Sequence, residues 1–166
     1  MKPVVEDNYL EPDDFNTIHK IFMGEKFPWN YYEYIDDKNE KNRGQFVHIV
    51  YFYTLDDHST LELLKEKLFK KMEVNIVHRI KANLTIQTPE IIQNKFHIDL
   101  NGEDGPNWRT SIYYMNTNNG YTIFEDGTKV ESVANRLLTF HGNTKHAASS
   151  CSDQHRRVVL NINYYT

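Results

Sequence analysis

The 166-residue chain is poor in residues that mark several common protein classes. Its single cysteine, Cys151, can form no internal disulfide and excludes a zinc site built on paired thiolates. No run approaches the roughly 20 apolar residues that a membrane span needs, and the opening MKPVVEDNYL lacks the apolar core of a signal peptide. These absences predict a soluble, cytoplasmic protein with no membrane partner.

The charge balance and the missing motifs exclude further classes. A formal net charge of −4 argues against a broad nucleic-acid-binding surface. The chain has no phosphate-binding glycine loop, no GxGxxG, no HExxH and no GxSxG. Its 39% hydrophobic and 25% charged residues are typical of a folded globular protein, and the length suits one domain over residues 1–166.

Two helices are predicted in the first half of the chain. Pro12 and two following acidic residues suit a helix start, apolar residues recur at helical spacing up to Phe22, and Gly24 ends the run. For the second helix, Ser59 and Glu62 form a capping box ahead of one apolar stripe. That stripe consists of Leu61, Leu64, Leu68 and Met72.

Strands dominate the rest of the chain, because from Val74 onward the apolar residues recur every second position. The predicted strands are 46–53, 77–87, 96–100, 109–116, 121–124, 135–140 and 157–165. Turn residues separate the later ones, including Asn-Gly and Asp-Gly pairs at 101–102, 104–105, 119–120 and 126–127. Helices followed by strands, without alternation, predict a mainly β fold: a β-sandwich or jelly roll with N-terminal helices on one face.

His97 and Asp99 are the first candidates for chemistry. On a strand, residues two apart face the same side, so the imidazole and the carboxylate converge on one point. A second imidazole would complete a set of two histidines and one carboxylate, which leaves three positions open on an octahedral Fe(II).

The third ligand would come from a later strand, where His141, His146 and His155 are available. His146 follows a predicted strand and a polar loop that would return it to the same end of the barrel. Eleven residues later, Arg157 opens the last strand, and a guanidinium there suits a dicarboxylate. The order of HxD, His and Arg is more specific than any one of its parts.

With these residues in place, the segment 95–164 resembles the catalytic core of the 2-oxoglutarate- and Fe(II)-dependent dioxygenases of the prolyl-4-hydroxylase-like kind. The matching stretches are FHIDLNGEDG, WRTSIYYMNTNNGYTIFEDG, NRLLTFHGNTKH and RRVVLNINY. The resemblance implies a double-stranded β-helix, a jelly-roll variant, with the N-terminal half as its helical support.

The resemblance also implies a ligand set and a reaction. His97, Asp99 and His146 would bind Fe(II), while Arg157 would pair with the distal carboxylate of the co-substrate 2-oxoglutarate and Tyr114 would hydrogen-bond to it. O₂ would be consumed, succinate and CO₂ released, and a substrate carbon hydroxylated. That carbon could belong to a prolyl or other amino-acid side chain in a peptide, to a free amino acid or to another small molecule.

Two other classes of function are weighed against this interpretation. A non-catalytic jelly-roll module that binds a metal or another ligand would be expected to have lost a ligand or the arginine, yet all four residues are present. A cupin-like isomerase or hydrolase would use more histidines and has no need of the late arginine.

The doubled Arg156-Arg157 leaves the carboxylate anchor to be decided, since adjacent strand residues face opposite ways. Arg156 shares its face with Val158, Leu160 and Ile162, so a simple apolar-inside rule favours it. The predicted helices, however, need an apolar partner on the outer face of the sheet. Residues 158, 160 and 162 would provide it, which turns Arg157 inward. On the strand before HxD, Lys81 and Asn83 could face the site or solvent.

Overall fold

The computed structural model describes residues 2–35, 44–100 and 107–166. The helices are α1 (Pro12–Phe22), α2 (His58–Lys67) and a 3₁₀ turn (Phe69–Lys71). The strands are β1 (Val4–Glu6), β2 (Asn30–Tyr32), β3 (Gln45–Phe52), β4 (Leu55–Asp56), β5 (Ile76–Ile86), β6 (Trp108–Tyr114), β7 (Tyr121–Phe124), β8 (Lys129–Glu131), β9 (Arg136–His141), β10 (His146–Ala148) and β11 (Arg156–Tyr165). None of the helices among these residues is long and apolar enough to cross a membrane.

The strands form two antiparallel sheets. The large sheet has the order β1-β9-β6-β11-β5-β3-β2, with β4 added beside β3, and the small sheet has the order β10-β7-β8. Strands that are distant in sequence become neighbours, as where the last strand β11 lies between β5 and β6. The architecture is the predicted jelly roll, a double-stranded β-helix with its helices near the N-terminus.

Two apolar clusters lie on opposite faces of the large sheet. The outer cluster joins the helices to the sheet and includes Ile18, Phe22, Leu61, Leu64, Val158, Leu160 and Ile162. The inner cluster lies between the sheets and consists of Ile112, Tyr114, Phe124, Val130, Leu138, Phe140 and Val159. Burying each large apolar side chain contributes about 1.5–3 kcal/mol. The apolar face of β11 therefore packs against the helices, as the sequence predicts.

Helix α1 runs from Pro12 to Phe22 as predicted, but the predicted start of α2 is wrong. Its N-cap is Asp57, whose carboxylate accepts hydrogen bonds from the Thr60 backbone N–H at 3.3 Å and the Ser59 hydroxyl at 3.1 Å. His48 contacts the other carboxylate oxygen at 2.9 Å. Because His48 on β3 holds the Asp57 side chain, the helix begins earlier than it would with Ser59 as its cap. The helix also ends at Lys67, before Met72.

The predicted strand 96–100 does not form. Within it, His97 forms an isolated bridge with His146 at the edge of the small sheet, and just before it Gln93 forms another with Ser149. Gln93 and His97 are four residues apart, whereas their partners Ser149 and His146 are three apart. The two bridges are therefore out of register and do not belong to one regular pair of strands. The short strands β1, β2, β4, β8 and β10 carry no clear alternation and were not predicted. The turn pairs at 101–102 and 104–105 lie outside the described residues.

Candidate metal and co-substrate site

His97, Asp99 and His146 meet at the edge of the small sheet, with one ligand atom from each lying within 4.8 Å of the others. Nε2 of His97 lies 3.8 Å from Oδ1 of Asp99, and Nε2 of His146 lies 3.6 Å from Oδ2. Paired backbone hydrogen bonds of 2.9 and 3.0 Å between His97 and His146 bring the two histidines together across 49 residues of chain. The convergence of His97 and Asp99 that was predicted for a strand thus occurs although no strand forms there, and the bridge adds His146.

Both imidazoles are oriented by the backbone. Nδ1 of His146 lies 3.0 Å from the Thr144 carbonyl, and Nδ1 of His97 lies 3.4 Å from the Lys95 carbonyl. When Nδ1–H donates to a carbonyl, the lone pair of Nε2 is left for a metal. Two neutral imidazoles and one carboxylate suit Fe(II), so the residues present fit the implied ion.

The Asp99 carboxylate is held from the large sheet. Its side chain is 5% exposed, and Nη2 of Arg79 donates to Oδ1 at 2.9 Å. The side-chain amides of Asn161 and Asn163 donate to Oδ2 at 2.8 and 3.3 Å. Burial raises the pKa of Asp99, but its interactions with His146, the Arg79 guanidinium and His97 and the Asn161 hydrogen bond together lower it by more. Asp99 is therefore ionised wherever a metal would bind.

Arg157 lies at the deep end of the site and is 2% exposed. Nε donates to the Ser132 hydroxyl at 2.8 Å, and Nη2 lies 3.5 Å from the Thr122 hydroxyl. Gly120 packs so closely that a Cβ there would lie 2.8 Å from Cδ of Arg157. Burial lowers the pKa of Arg157. No carboxylate of the described residues pairs with this guanidinium, although a buried charge normally requires a partner.

Tyr114 is also buried, with the guanidinium of Arg157 5.6 Å from the centre of its ring. Its hydroxyl donates to Oγ1 of Thr122 at 2.8 Å, and burial raises its pKa. Thr122, rather than the Tyr114 hydroxyl, lines the cavity in front of Arg157. With Tyr114 donating to it, the Thr122 hydroxyl can direct its own proton towards a ligand.

One cavity of about 60 Å³ is lined by the histidine–aspartate cluster and by Arg157. A second cavity of about 460 Å³, here called the mouth, shares Ile35, Lys81, His97 and Asp99 with it. Lys81 and Asn83 line the first cavity, which answers the question that the sequence left open. Among the described residues, the buried side-chain oxygens of Asn83, Asn94 and Asn161 have no hydrogen-bond partner, and all three residues line the cavity. Such groups require water or a ligand.

The other candidates lie elsewhere. Nδ1 of His141 contacts Asn143 at 2.7 Å, outside the ligand cluster, and His155 is exposed. Arg156 faces the helices, where Nη2 donates to the Met23 carbonyl at 2.6 Å. Six residues around the ligands and Arg157 are not among those that the sequence predicts: Arg79, Asn94, Thr122, Ser132, Asn161 and Asn163. For the two asparagines on β11 a signal existed, because they share the inward face of Arg157.

Comparison with known proteins agrees with this geometry at the level of the fold. No protein-family sequence profile matches the chain, and no curated protein sequence does. A Pseudomonas putida prolyl-4-hydroxylase superposes with a TM-score of 0.62 at 13% identity, covering 98% of this chain and 91% of that one. A Trichoplax adhaerens prolyl hydroxylase, solved with a hypoxia-inducible-factor peptide, gives 0.67 at 13% identity, covering 98% and 83%. An α-ketoglutarate-dependent carbocyclase from nogalamycin biosynthesis gives 0.68 at 12% identity, covering 98% and 79%. The chain has the fold of the prolyl-4-hydroxylase-like 2-oxoglutarate oxygenases.

Proposed function

We propose that the protein is an Fe(II)- and 2-oxoglutarate-dependent dioxygenase that hydroxylates a substrate carbon and releases succinate and CO₂. The observation that carries the proposal is the buried guanidinium of Arg157, which has no carboxylate partner in the described chain and faces the cavity of the histidine–aspartate cluster. A dicarboxylate that also chelates a metal satisfies both ends of such a cavity.

Each end of the cavity has its own task. His97, Asp99 and His146 would hold the iron, which supplies the O₂ chemistry when it is bound. Arg157 and the Thr122 hydroxyl would bind the distal carboxylate, and Tyr114 would act through Thr122. Because Arg157 and Thr122 are buried and Arg157 is held by hydrogen bonds, binding would fix the direction in which the other end of the co-substrate points.

Apolar side chains between the two ends keep water away from the reacting atoms. Ile112, Ala148 and Val159 line the cavity beside the polar groups. Exclusion of water strengthens the charge-assisted pairing with Arg157 and protects a reactive oxidant from side reactions.

The prime substrate would enter at the mouth beside Arg79 and Lys145. A prolyl or other amino-acid side chain is the favoured class, in a peptide or as the free amino acid. The supporting facts are the likeness to two prolyl hydroxylases, one of them solved with a peptide, and the net charge of −4, which disfavours nucleic acid. The likeness to a carbocyclase shows that the same fold also serves small metabolites.

Succinate release tests the proposal before the prime substrate is known. Protein supplied with Fe(II), O₂ and 2-oxoglutarate is expected to form succinate slowly on its own, and faster with the right member of a panel of proline-containing peptides and amino acids. His146→Ala serves as the matched inactive control. If folded, metal-loaded protein forms no succinate under any of these conditions, the chain is a non-catalytic metal- or ligand-binding jelly roll.

A further inference from the structure

We infer that Arg79 is a positioning residue that sets the orientation of the Asp99 carboxylate for metal binding. The inference rests on the proposed metal site and assigns a task to a side chain that neither binds the metal nor reaches the co-substrate anchor. Arg79 is placed by β5, while Asp99 belongs to the irregular segment that follows it.

The Asp99 carboxylate needs such support because the irregular segment that contains Asp99 does little to fix its orientation. His146 lies in strand β10, and His97 is bridged to it by two backbone hydrogen bonds. Asp99 lies two residues beyond that bridge and outside any strand. Nothing in the local backbone pattern therefore fixes the direction of its carboxylate, and side-chain contacts must do so.

The large sheet supplies those contacts: Asn161 donates to Oδ2 at 2.8 Å, and the others come from one row of residues. Arg79 on β5, Asn163 on β11 and Thr110 on β6 are successive cross-strand partners. Nε of Arg79 donates to Oδ1 of Asn163 at 2.9 Å, and Nδ2 of Asn163 donates to Thr110 at 2.9 Å and to Asp99 at 3.3 Å. With the 2.9 Å contact from Arg79 to Asp99, the three side chains form a closed ring. Nη2 of the planar guanidinium thus donates to the carboxylate while Nε donates to Asn163 on the sheet, which ties Asp99 to β11.

The charge of Arg79 and its contact with Asp99 predict opposite changes in metal affinity when Arg79 is replaced. A guanidinium close to a metal dication repels it, so on charge alone its loss would tighten metal binding. If Arg79 acts by holding Asp99, its loss weakens binding, because outer partners of metal ligands are typically worth about 10- to 100-fold in metal affinity. The sign of the change therefore distinguishes the two effects.

The experiment is a Mn(II) titration of apo-protein, with free Mn(II) followed by its electron paramagnetic resonance signal. Arg79→Met is expected to weaken binding at least about tenfold. Arg79→Lys, which keeps the charge but not the two-pronged geometry, is expected to fall between it and wild type. Lys145→Met is the control: Lys145 lines the same mouth but contacts Glu125, so its removal is expected not to weaken binding.

A Co(II) absorption spectrum gives a readout that a general loss of stability would not move. Its ligand-field bands are expected to shift in Arg79→Met and in Arg79→Lys and to stay unchanged in Lys145→Met. Should Arg79→Met fail to fold, the spectrum and affinity of Arg79→Lys decide. Equal or tighter binding by the Arg79 variants, with wild-type spectra, overturns this inference alone. Absence of Mn(II) binding by wild-type protein overturns the proposed function with it.

Discussion

Replacing Arg157 by methionine is expected to weaken 2-oxoglutarate binding without weakening the fold. Methionine keeps most of the side-chain length but removes the charge that would pair with the distal carboxylate. A hydrogen bond to a charged group is worth about 1.5–3 kcal/mol, so the affinity should fall by about 10- to 100-fold. Arg156→Met is the matched control, since Arg156 contacts the Met23 carbonyl on the opposite face and should change affinity by less than about threefold.

The two substitutions should have the reverse order of effects on stability. Arg157→Met leaves the Ser132 hydroxyl without its donor, which costs about 1 kcal/mol. It also removes a fully buried cation that no described carboxylate neutralises, and the penalty for burying such an ion is several kcal/mol. The free energy of unfolding of the ligand-free protein should therefore be unchanged or higher. Arg156→Met should lower it by about 0.5–1.5 kcal/mol, the value of one hydrogen bond.

Denaturant unfolding of the ligand-free proteins and titration of 2-oxoglutarate in the presence of Mn(II) measure the two quantities. A ligand at 100 times its Kd stabilises a protein by about 2.7 kcal/mol. At that same concentration a variant with 100-fold weaker affinity gains only about 0.4 kcal/mol. If Arg157→Met destabilises the ligand-free fold by more than about 2 kcal/mol yet binds normally, Arg157 is a structural residue and the reasoning fails. Equal losses of affinity for the two arginines would show that the register of β11 is misassigned.

Three further results are expected. His146→Ala should abolish tight Mn(II) binding in a metal titration while His141→Ala leaves it intact, because His141 lies outside the ligand cluster; equal losses would contradict the ligand assignment. Thr122→Val should lower 2-oxoglutarate affinity by about tenfold and Tyr114→Phe by about threefold, since only Thr122 lines the cavity; calorimetry showing the reverse order would place the Tyr114 hydroxyl on the ligand. Asp57→Ala should lower the free energy of unfolding by about 0.5–2 kcal/mol at pH 7 through loss of the α2 cap. Burial raises the pKa of Asp57, but hydrogen bonds from Thr60, His48 and Ser59 lower it by more. The cap therefore stabilises the fold above the unfolded pKa of about 3.9 and loses its effect as pH falls through the folded pKa. A difference between variant and wild type that stays constant from pH 7 to pH 3 in urea unfolding would contradict this.

Local periodicity in the sequence was sufficient for the elements that bury one apolar face. Helix α1, strand β7 and the long strands β5 and β11 lie within a residue or two of their predicted bounds, because spacing of apolar residues depends only on the geometry of a single element. The same reasoning turned Arg157 inward, since helices on the outer face require the apolar set of β11 for themselves.

Predictions from local sequence patterns were wrong where a residue distant in the chain determines the local structure. The cap of α2 is Asp57 rather than Ser59, and the segment 96–100 makes a bridge instead of a strand. In both places a partner from elsewhere in the chain, His48 in the first and His146 in the second, competes with the local pattern. Sequence spacing does not report such partners.

The sequence by itself determined the kind of site: two imidazoles, one carboxylate and a guanidinium, in an order typical of one class of oxygenase. Only the tertiary structure decided that Arg79 reaches Asp99, that Thr122 stands between Tyr114 and the cavity, and that Arg157 is buried without a described acidic partner. These facts depend on strand register, which pairs Arg79 with Asn163 across 84 residues. Register is fixed by packing of whole sheet faces, so no short stretch of sequence contains it.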